Sequence, residues 1–418
     1  MAHPFPLSRF KIASADQIAT IRSLGLKRVR WEPRFSDVAA APAAPESAHA
    51  TSPAPEPRAA AAQQRPDSDT PPPVVPPAAA PPDEPARKAH RKQLAGQREA
   101  LQLCERQFAE AASACAELNQ LVVTKPLNAG GQAQALSRAL VDKMLGEQEV
   151  CIQLLTGAAG NKAAAHALNV TILSLLLGRK FGLDEAEMLD LGVGAMLHDV
   201  GKLELPERAR HREDHFIAAE VKEYEDHVAH GVVHGRKMGL AAGALRVVAQ
   251  HHEGCDGSGF PLRLEGEKMT LPARIVALVN RYDNLCNPNL VARALTPHEA
   301  LALIFAGSAP KYDAAVLATF IKMMGVYPPG SAVQLNDDRY ALVVNVNSTR
   351  PLKPRVLVHD ATVPREEALV LDLQAHASLG IRRSVRPLQL PAPALNYLAP
   401  ARRVAYFFEP MRELDTIS

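Results

Sequence analysis

The sequence predicts a mainly α protein. It reads as a helical bundle with a small β-rich C-terminal cap and a short α/β N-terminal module joined by a disordered Pro/Ala linker. Three observations carry this. Apolar residues recur at helical spacing from residue 132 to about 325, and the last ninety residues switch to short valine- and leucine-rich runs. Of the 34 prolines, 14 crowd into residues 41–90, together with 15 alanines.

The chain has 418 residues, 47% hydrophobic and 22% charged, which gives room for two or three globular domains. Its formal charge of +2, from 47 basic and 45 acidic side chains, supplies no long-range pull toward nucleic acid or an anionic membrane. The run Leu168–Gly178 is short and interrupted by Asn169, Thr171 and Ser174, so no membrane-spanning helix is expected. The opening MAHPFPLSRF leads into no apolar stretch and does not read as a secretory signal. Five dispersed cysteines (Cys104, Cys115, Cys151, Cys255, Cys286) without a CxxC pair point to a reducing cytoplasm, and away from a disulfide framework or a thiolate zinc site.

Residues 1–37 form the N-terminal module. Ser14 and Gln17 match a capping box, Ile18, Ile21 and Leu24 follow at helical spacing, and Gly25 is a stop. Leu26–Trp31 alternates apolar and basic side chains as a half-exposed strand would. Forty residues cannot hold a core alone, so this piece should dock on the chain or on a second copy. Residues 38–88 lack large apolar side chains and read as an extended spacer. In 89–130, Leu94, Leu101, Cys104, Phe108, Cys115, Leu118 and Val122 mark one charged helix. It is either a two-stranded coiled coil or a helix laid on the next domain, and its short seam with two cysteines favours the second.

Residues 131–327 are expected to be all α. Helical segments run through Leu136–Leu145, Leu168–Leu176, Ala186–Leu197, Leu245–His252, Leu271–Leu285 and Pro297–Phe305, with Pro272 suited to a first turn. In 328–418, the runs Tyr340–Val346, Arg355–Val358 and Ala368–Leu373, bounded by Pro351, Pro364 and Asp337-Asp338, read as strands. His359 and His376 there lack ligand spacing.

The chemistry-bearing residues gather in the helical domain: His166, His198-Asp199, Lys202, His227, His251-His252, Asn280 and Asp283. Five histidines and a carboxylate at the ends of apolar helices suit a transition-metal centre better than a calcium site. Two such ions about 3.5–4 Å apart can clamp a phosphoryl transfer. Lys202, in HDVGK, would set a point charge beside the phosphate.

The string His198-Asp-Val-Gly-Lys202, then His227 with Gly231, then His251-His-Glu253 and Asp256-Gly-Ser-Gly-Phe-Pro261, resembles the HD-GYP domain, a branch of the HD phosphohydrolases that hydrolyses cyclic di-GMP. Residues 131 to about 327 match it in motif order, and the N-terminal piece resembles a small module that often precedes it in bacterial proteins.

The resemblance implies an HD-type bundle holding two divalent transition metals, commonly iron or manganese. His166, His198 and Asp199 would bind one ion, and Asp199 would bridge to the second, held by His227, His251 and His252. Asp199 and Lys202 would serve catalysis. Lys202, Asp256, Gly257, Gly259, Phe260 and Pro261 would border the nucleotide, and the Gly257–Pro261 loop could also meet a signalling partner. The implied reaction is attack of metal-bound hydroxide on a phosphodiester of cyclic di-GMP, in bacterial second-messenger signalling. The competing reading is a degenerate domain that binds nucleotide or protein with little turnover. The N-terminal module and the charged helix would fit a homodimer.

The chain departs from the pattern at several positions. Asn280 stands where the family has an aspartate completing the first metal site, which removes one negative charge. Lys162 stands where some members carry a glutamate for a third metal. Asn289-Leu-Val-Ala292 replaces a basic run, Phe260 replaces tyrosine and Gly254 replaces arginine. Outside the ligand positions, His230 and His234 read as solvated or supporting, His211 and His215 as exposed, and Cys255 and Cys286 as packing residues.

Overall fold

The computed structural model describes residues 84–146, 150–155, 161–211, 215–307, 309–347 and 350–410. The N-terminal module and nearly all of the linker lie outside the described residues. Those from Arg91 onward form one compact unit, and Glu84–His90 fall in another.

The elements are α1 (Glu84–Thr124), α2 (Pro126–Leu145), β1 (Val150–Leu155), α3 (Lys162–Phe181), α4 (Glu185–Leu197), α5 (Ala218–Glu225), α6 (His227–Lys237), α7 (Ala242–Gln250), α8 (Leu271–Cys286), α9 (Pro297–Gly307) and α10 (Ala314–Met324). They are followed by β2 (Ala332–Leu335), β3 (Tyr340–Asn347), β4 (Arg355–Val358), β5 (Val370–Asp372), β6 (Ile381–Ser384), α11 (Ala392–Leu398) and β7 (Ala405–Pro410). The mainly α class with a small antiparallel sheet is as expected. No helix among the described residues is long and apolar enough to cross a membrane.

Local chemistry sets several helix ends. Asn161 accepts from the Ala163 and Ala164 amides to start α3, and Gly182, at φ 70°, ends it. Asp184 and Glu187 form a reciprocal capping box at α4. Thr270 caps α8, with Pro272 in its first turn.

The sheet corrects the sequence reading. Val150–Leu155, within the stretch read as all helical, is a buried strand lying between β3 and β7 in the order β5-β4-β3-β1-β7. Ile152 pairs with Val346 on one side and Phe408 on the other. A short run that is apolar but for Gln153 and almost wholly buried cannot be told from a helix segment by periodicity alone. Strands β2, β6 and β7 escaped the sequence reading as well; the first two are only four residues long. Helices and sheet share one apolar core that runs from Cys104 to Phe408.

Helix α1 is laid on this core. Cys104, Phe108, Cys115, Leu118 and Val122 are buried, and Phe108 meets Phe407 of β7 edge-on at 6.5 Å. The Gln97 amide exchanges two hydrogen bonds with the backbone of Val370 (3.0 and 2.9 Å), occupying groups that edge strand β5 would otherwise present to another strand.

Candidate metal centre

Five helices deliver the polar cluster. His166 comes from the second turn of α3, and His198 and Asp199 close α4. His227 opens α6, His251 and His252 follow α7, and Asn280 and Asp283 lie on α8. The glycines of the two motifs explain how the first three groups approach one another. A Cβ on Gly201 would lie 1.9 Å from the His227 carbonyl oxygen and 2.4 Å from the Gly231 amide nitrogen. Only glycine lets the turn carrying Lys202 seat directly on α6.

The imidazoles are pre-oriented by backbone. Nδ1 of His198 lies 2.7 Å from the Ala195 carbonyl oxygen, and Nδ1 of His251 lies 2.8 Å from that of Val248. Nδ1 of His227 meets the Tyr224 carbonyl in the same way. A carbonyl oxygen only accepts, so each Nδ1 carries the proton and each Nε2 keeps a lone pair. For His166, Nδ1 donates to Asp283 Oδ2 at 2.6 Å.

The lone pairs converge on Asp199. Its Oδ2 lies 3.7 Å from His166 Nε2 and 3.5 Å from His198 Nε2, while its Oδ1 lies 3.5 Å from His227 Nε2 and 3.7 Å from His251 Nε2. The Nε2 atoms of His166 and His198 are 3.2 Å apart, and those of His227 and His251 are 3.3 Å apart. Oδ1 is buried and makes no hydrogen bond. Acceptors gathered this closely repel one another unless cations stand among them. The donors fit metal ions: His166, His198 and Asp199 form one group whose ligand atoms lie within 4.8 Å of one another, and Asp199, His227, His251 and His252 form a second.

Charge states agree with this chemistry. Burial would raise the Asp199 carboxyl, but the Lys202 ammonium at 2.6 Å and the surrounding imidazoles outweigh it and hold the group well below the usual carboxylate range. Burial likewise opposes the Lys202 charge, and Asp199 and Tyr224 more than restore it. Burial pushes His227 down to about 3 and lowers His251 and His252, leaving neutral rings of the kind metal binding requires.

The remaining predicted residues fall around this cluster. Asn280 is buried, and its amide oxygen accepts from Asn284 Nδ2 at 2.6 Å on its own helix. Phe260 stacks on His252 at 4.5 Å and 20°. Asp256 is exposed, with Oδ1 accepting from the Ser258 amide and hydroxyl. Gly257 has φ 72°, and a Cβ on Gly259 would lie 2.3 Å from the Gly254 amide nitrogen. Lys162 binds Asn289 Oδ1 at 2.8 Å, so two of the departures contact each other. His234, read as solvated or supporting, is buried and joins Glu204 at 2.7 Å, away from the cluster.

Sequence reasoning missed four supporting residues. Asp283 Oδ1 accepts from Asn169 Nδ2 (2.8 Å) and Asn287 Nδ2 (2.9 Å), and both amides also bond the Val404 backbone at the start of β7. Glu253 pins the glycine-rich loop, accepting from the Leu262 and Leu264 amides at 2.7 and 2.9 Å. Tyr224 places its hydroxyl 3.3 Å from His252 Nε2. Asn169 carried a readable signal, since it lies within an apolar helical run three residues after His166.

The residues of the cluster fall within a segment that matches a known family. Residues 146–316 match the family model of the HD domain, and that span holds every group of the cluster. This segment is similar to the HD domain. Ahead of it, residues 1–132 match a domain of unknown function, DUF3391. The chain is 27% identical over 196 residues to cyclic di-GMP phosphodiesterase PA4108 of Pseudomonas aeruginosa, covering 46% of this chain and 47% of the relative. It is 33% identical over 130 residues to 3'3'-cGAMP-specific phosphodiesterase 2 of Vibrio cholerae, covering 31% and 25%. The matches thus span between a quarter and about half of these relatives. Among solved structures it is similar to Bd1817, an HDG"Y"P protein from Bdellovibrio bacteriovorus, at TM-score 0.41 and 18% identity, covering 50% of this chain and 69% of that one.

Proposed function

We propose that this protein is a metal-dependent phosphodiesterase that hydrolyses a cyclic dinucleotide, with cyclic di-GMP as its substrate. The observation that carries the reading is the Asp199 carboxylate, which turns one oxygen to His166 and His198 and the other, without a hydrogen bond, to His227 and His251. His166, His198 and Asp199 would hold one divalent ion, iron or manganese, and Asp199, His227, His251 and His252 the other. Bound there, such ions supply Lewis acidity and activate water for in-line attack on phosphorus.

The protein's own part is positioning and charge. Asp199 fixes the spacing of the two halves, and Lys202, held protonated beside it, lies where a phosphoryl oxygen needs a cation. With Asn280 in place of a carboxylate, the cluster offers one direct negative ligand for two divalent ions. That excess positive charge favours a substrate carrying two phosphodiesters. The chain is similar both to a relative named for cyclic di-GMP and to one named for 3'3'-cGAMP, which supports a cyclic dinucleotide as the substrate class.

The test is turnover of cyclic di-GMP by full-length protein loaded anaerobically with Fe(II) or Mn(II), with a His198→Ala/Asp199→Ala double variant as blank and 3'3'-cGAMP as competitor. Metal-dependent turnover that is lost in the variant and greatest for cyclic di-GMP supports the proposal. Metal-loaded protein that cleaves neither dinucleotide overturns it.

A further inference from the structure

Four of the five imidazoles in the cluster are fixed at Nδ1, three by backbone carbonyls and His166 by Asp283. His252 is held differently. Among the described residues nothing hydrogen-bonds its Nδ1, and its Nε2 meets the Tyr224 hydroxyl at 3.3 Å. Its face-to-face contact is with Phe260, whose ring lies 4.5 Å away and is inclined by 20°.

Phe260 can serve as a support because the loop that carries it is closed on itself. The Phe260 amide donates to the His252 carbonyl oxygen at 3.2 Å, so the two residues are joined by backbone as well as by ring. Asp256 pairs with Glu265 in an antiparallel bridge across the base of the loop, and the Gly266 amide donates to the Cys255 carbonyl at 3.1 Å. Glu253, 3% exposed, accepts from the Leu262 amide with one carboxylate oxygen and from the Leu264 amide with the other. A Cβ on Gly259 would lie 2.4 Å from Glu253 Cα, so only glycine lets the chain pass this closely just before Phe260.

An imidazole with no hydrogen bond at Nδ1 can turn about its Cβ–Cγ bond, and a turned ring carries its lone pair away from an ion. A flat ring stacked on its face restricts that turn. We infer that Phe260 is the positioning residue for His252, taking the part that carbonyls and Asp283 take for the other four rings, with Glu253 anchoring the loop. This rests on the two-ion reading above. The effect is local: the loop sets the half of the centre formed by Asp199, His227, His251 and His252, and not the half at His166 and His198.

Phe260→Leu removes the flat face and keeps an apolar side chain, whereas Phe260→Tyr keeps the face. Phe260 is only part-buried, so the fold does not depend on it. The measurements are Mn(II) bound per chain by the full-length protein without nucleotide, its electron paramagnetic resonance spectrum, and the melting temperature of the metal-free protein. The parent and Phe260→Tyr are expected to load two ions and give a spin-coupled spectrum. In Phe260→Leu the second ion should bind roughly ten-fold more weakly, the lower end of what loss of support behind a histidine ligand costs. At equal metal supply its coupled spectrum should give way to that of a single Mn(II), with the metal-free melting temperature unchanged.

Phe260→Leu that loads both ions with parent affinity would overturn the inference even if its turnover fell, since the ring would then serve the substrate alone. So would loss of both ions together, or Phe260→Tyr behaving as Phe260→Leu does. A parent that binds one ion at most would overturn the two-ion reading and this inference with it. A parent that loads both ions in a Phe260-dependent way but cleaves no dinucleotide would sink the functional proposal and leave the positioning role standing.

Discussion

Asp283 Oδ2 receives the Nδ1 proton of His166 at 2.6 Å, while Asp283 Oδ1 is held by the amides of Asn169 and Asn287. The carboxylate is fully buried and fixes the imidazole so that Nε2 faces Asp199. Through the Val404 backbone, the same two asparagines tie this arrangement to the start of β7, so one strand of the sheet helps to orient a metal-facing ring.

Asp283→Asn should therefore weaken metal binding. An amide would turn a donor against either His166 or the two asparagines, and losing such a partner behind a histidine ligand costs about ten- to a hundred-fold in affinity. Competition titration with a chelator reads this directly. An affinity equal to the parent's would show that His166 is not set by Asp283.

Asn280→Asp should act in the opposite direction. A carboxylate at this buried position on α8 could still accept from Asn284, while adding the negative charge that the cluster lacks. Metal occupancy and turnover are both expected to rise, as measured by metal analysis and a parallel rate assay. No change in occupancy would mean that position 280 does not reach the ions.

Gly201→Ala should destabilise the protein by about 3 kcal/mol, at the upper end of what overpacking usually costs, because the new methyl collides with backbone and not with a movable side chain. Urea unfolding of the metal-free protein measures it. A loss well under about 1 kcal/mol would show that the HDVGK turn can lift off α6 without harm.

Stability of the metal-free protein should fall with acid, beginning near neutrality. His227 is held at about 3 by burial, and His251 and His252 are lowered too, whereas an imidazole in the unfolded chain titrates near roughly 6.5. Below that pH the unfolded chain takes up protons that the native rings refuse, so stability declines as pH drops toward the native values. Asp199, whose native value is depressed, contributes stability that is present above about pH 4 and lost as pH falls further. Melting temperature against pH should slope less steeply between about pH 6.5 and 4.5 in His227→Gln than in the parent. Parallel slopes would mean that the ring is not buried neutral.

The site was legible because its groups come in short local strings at helix ends. His198-Asp-Val-Gly-Lys202 and His251-His-Glu253 interrupt apolar runs, where a buried polar residue needs a reason. Residues that support the ligands from a distance left weaker traces. Tyr224 three residues before His227, and Asn287 four after Asp283, look like ordinary residues of amphipathic helices. Their partners become visible only when the segments after α4 and α7 meet α5, and when α8, α3 and β7 are brought together.

By itself the sequence determined the helical class, most helices of the bundle though not α5, α6 or α10, and which imidazoles and carboxylate to group together, since periodicity and motif spacing are local properties of the chain. The tertiary structure alone decided that Val150–Leu155 is a central strand, that α1 packs against β7, and that Asp283 reaches the sheet through Asn169 and Asn287. Strand β1 pairs with residues more than 190 positions away in β3 and at least 250 away in β7, and such pairings are chosen by cross-strand packing and shared burial, which no window along the chain contains.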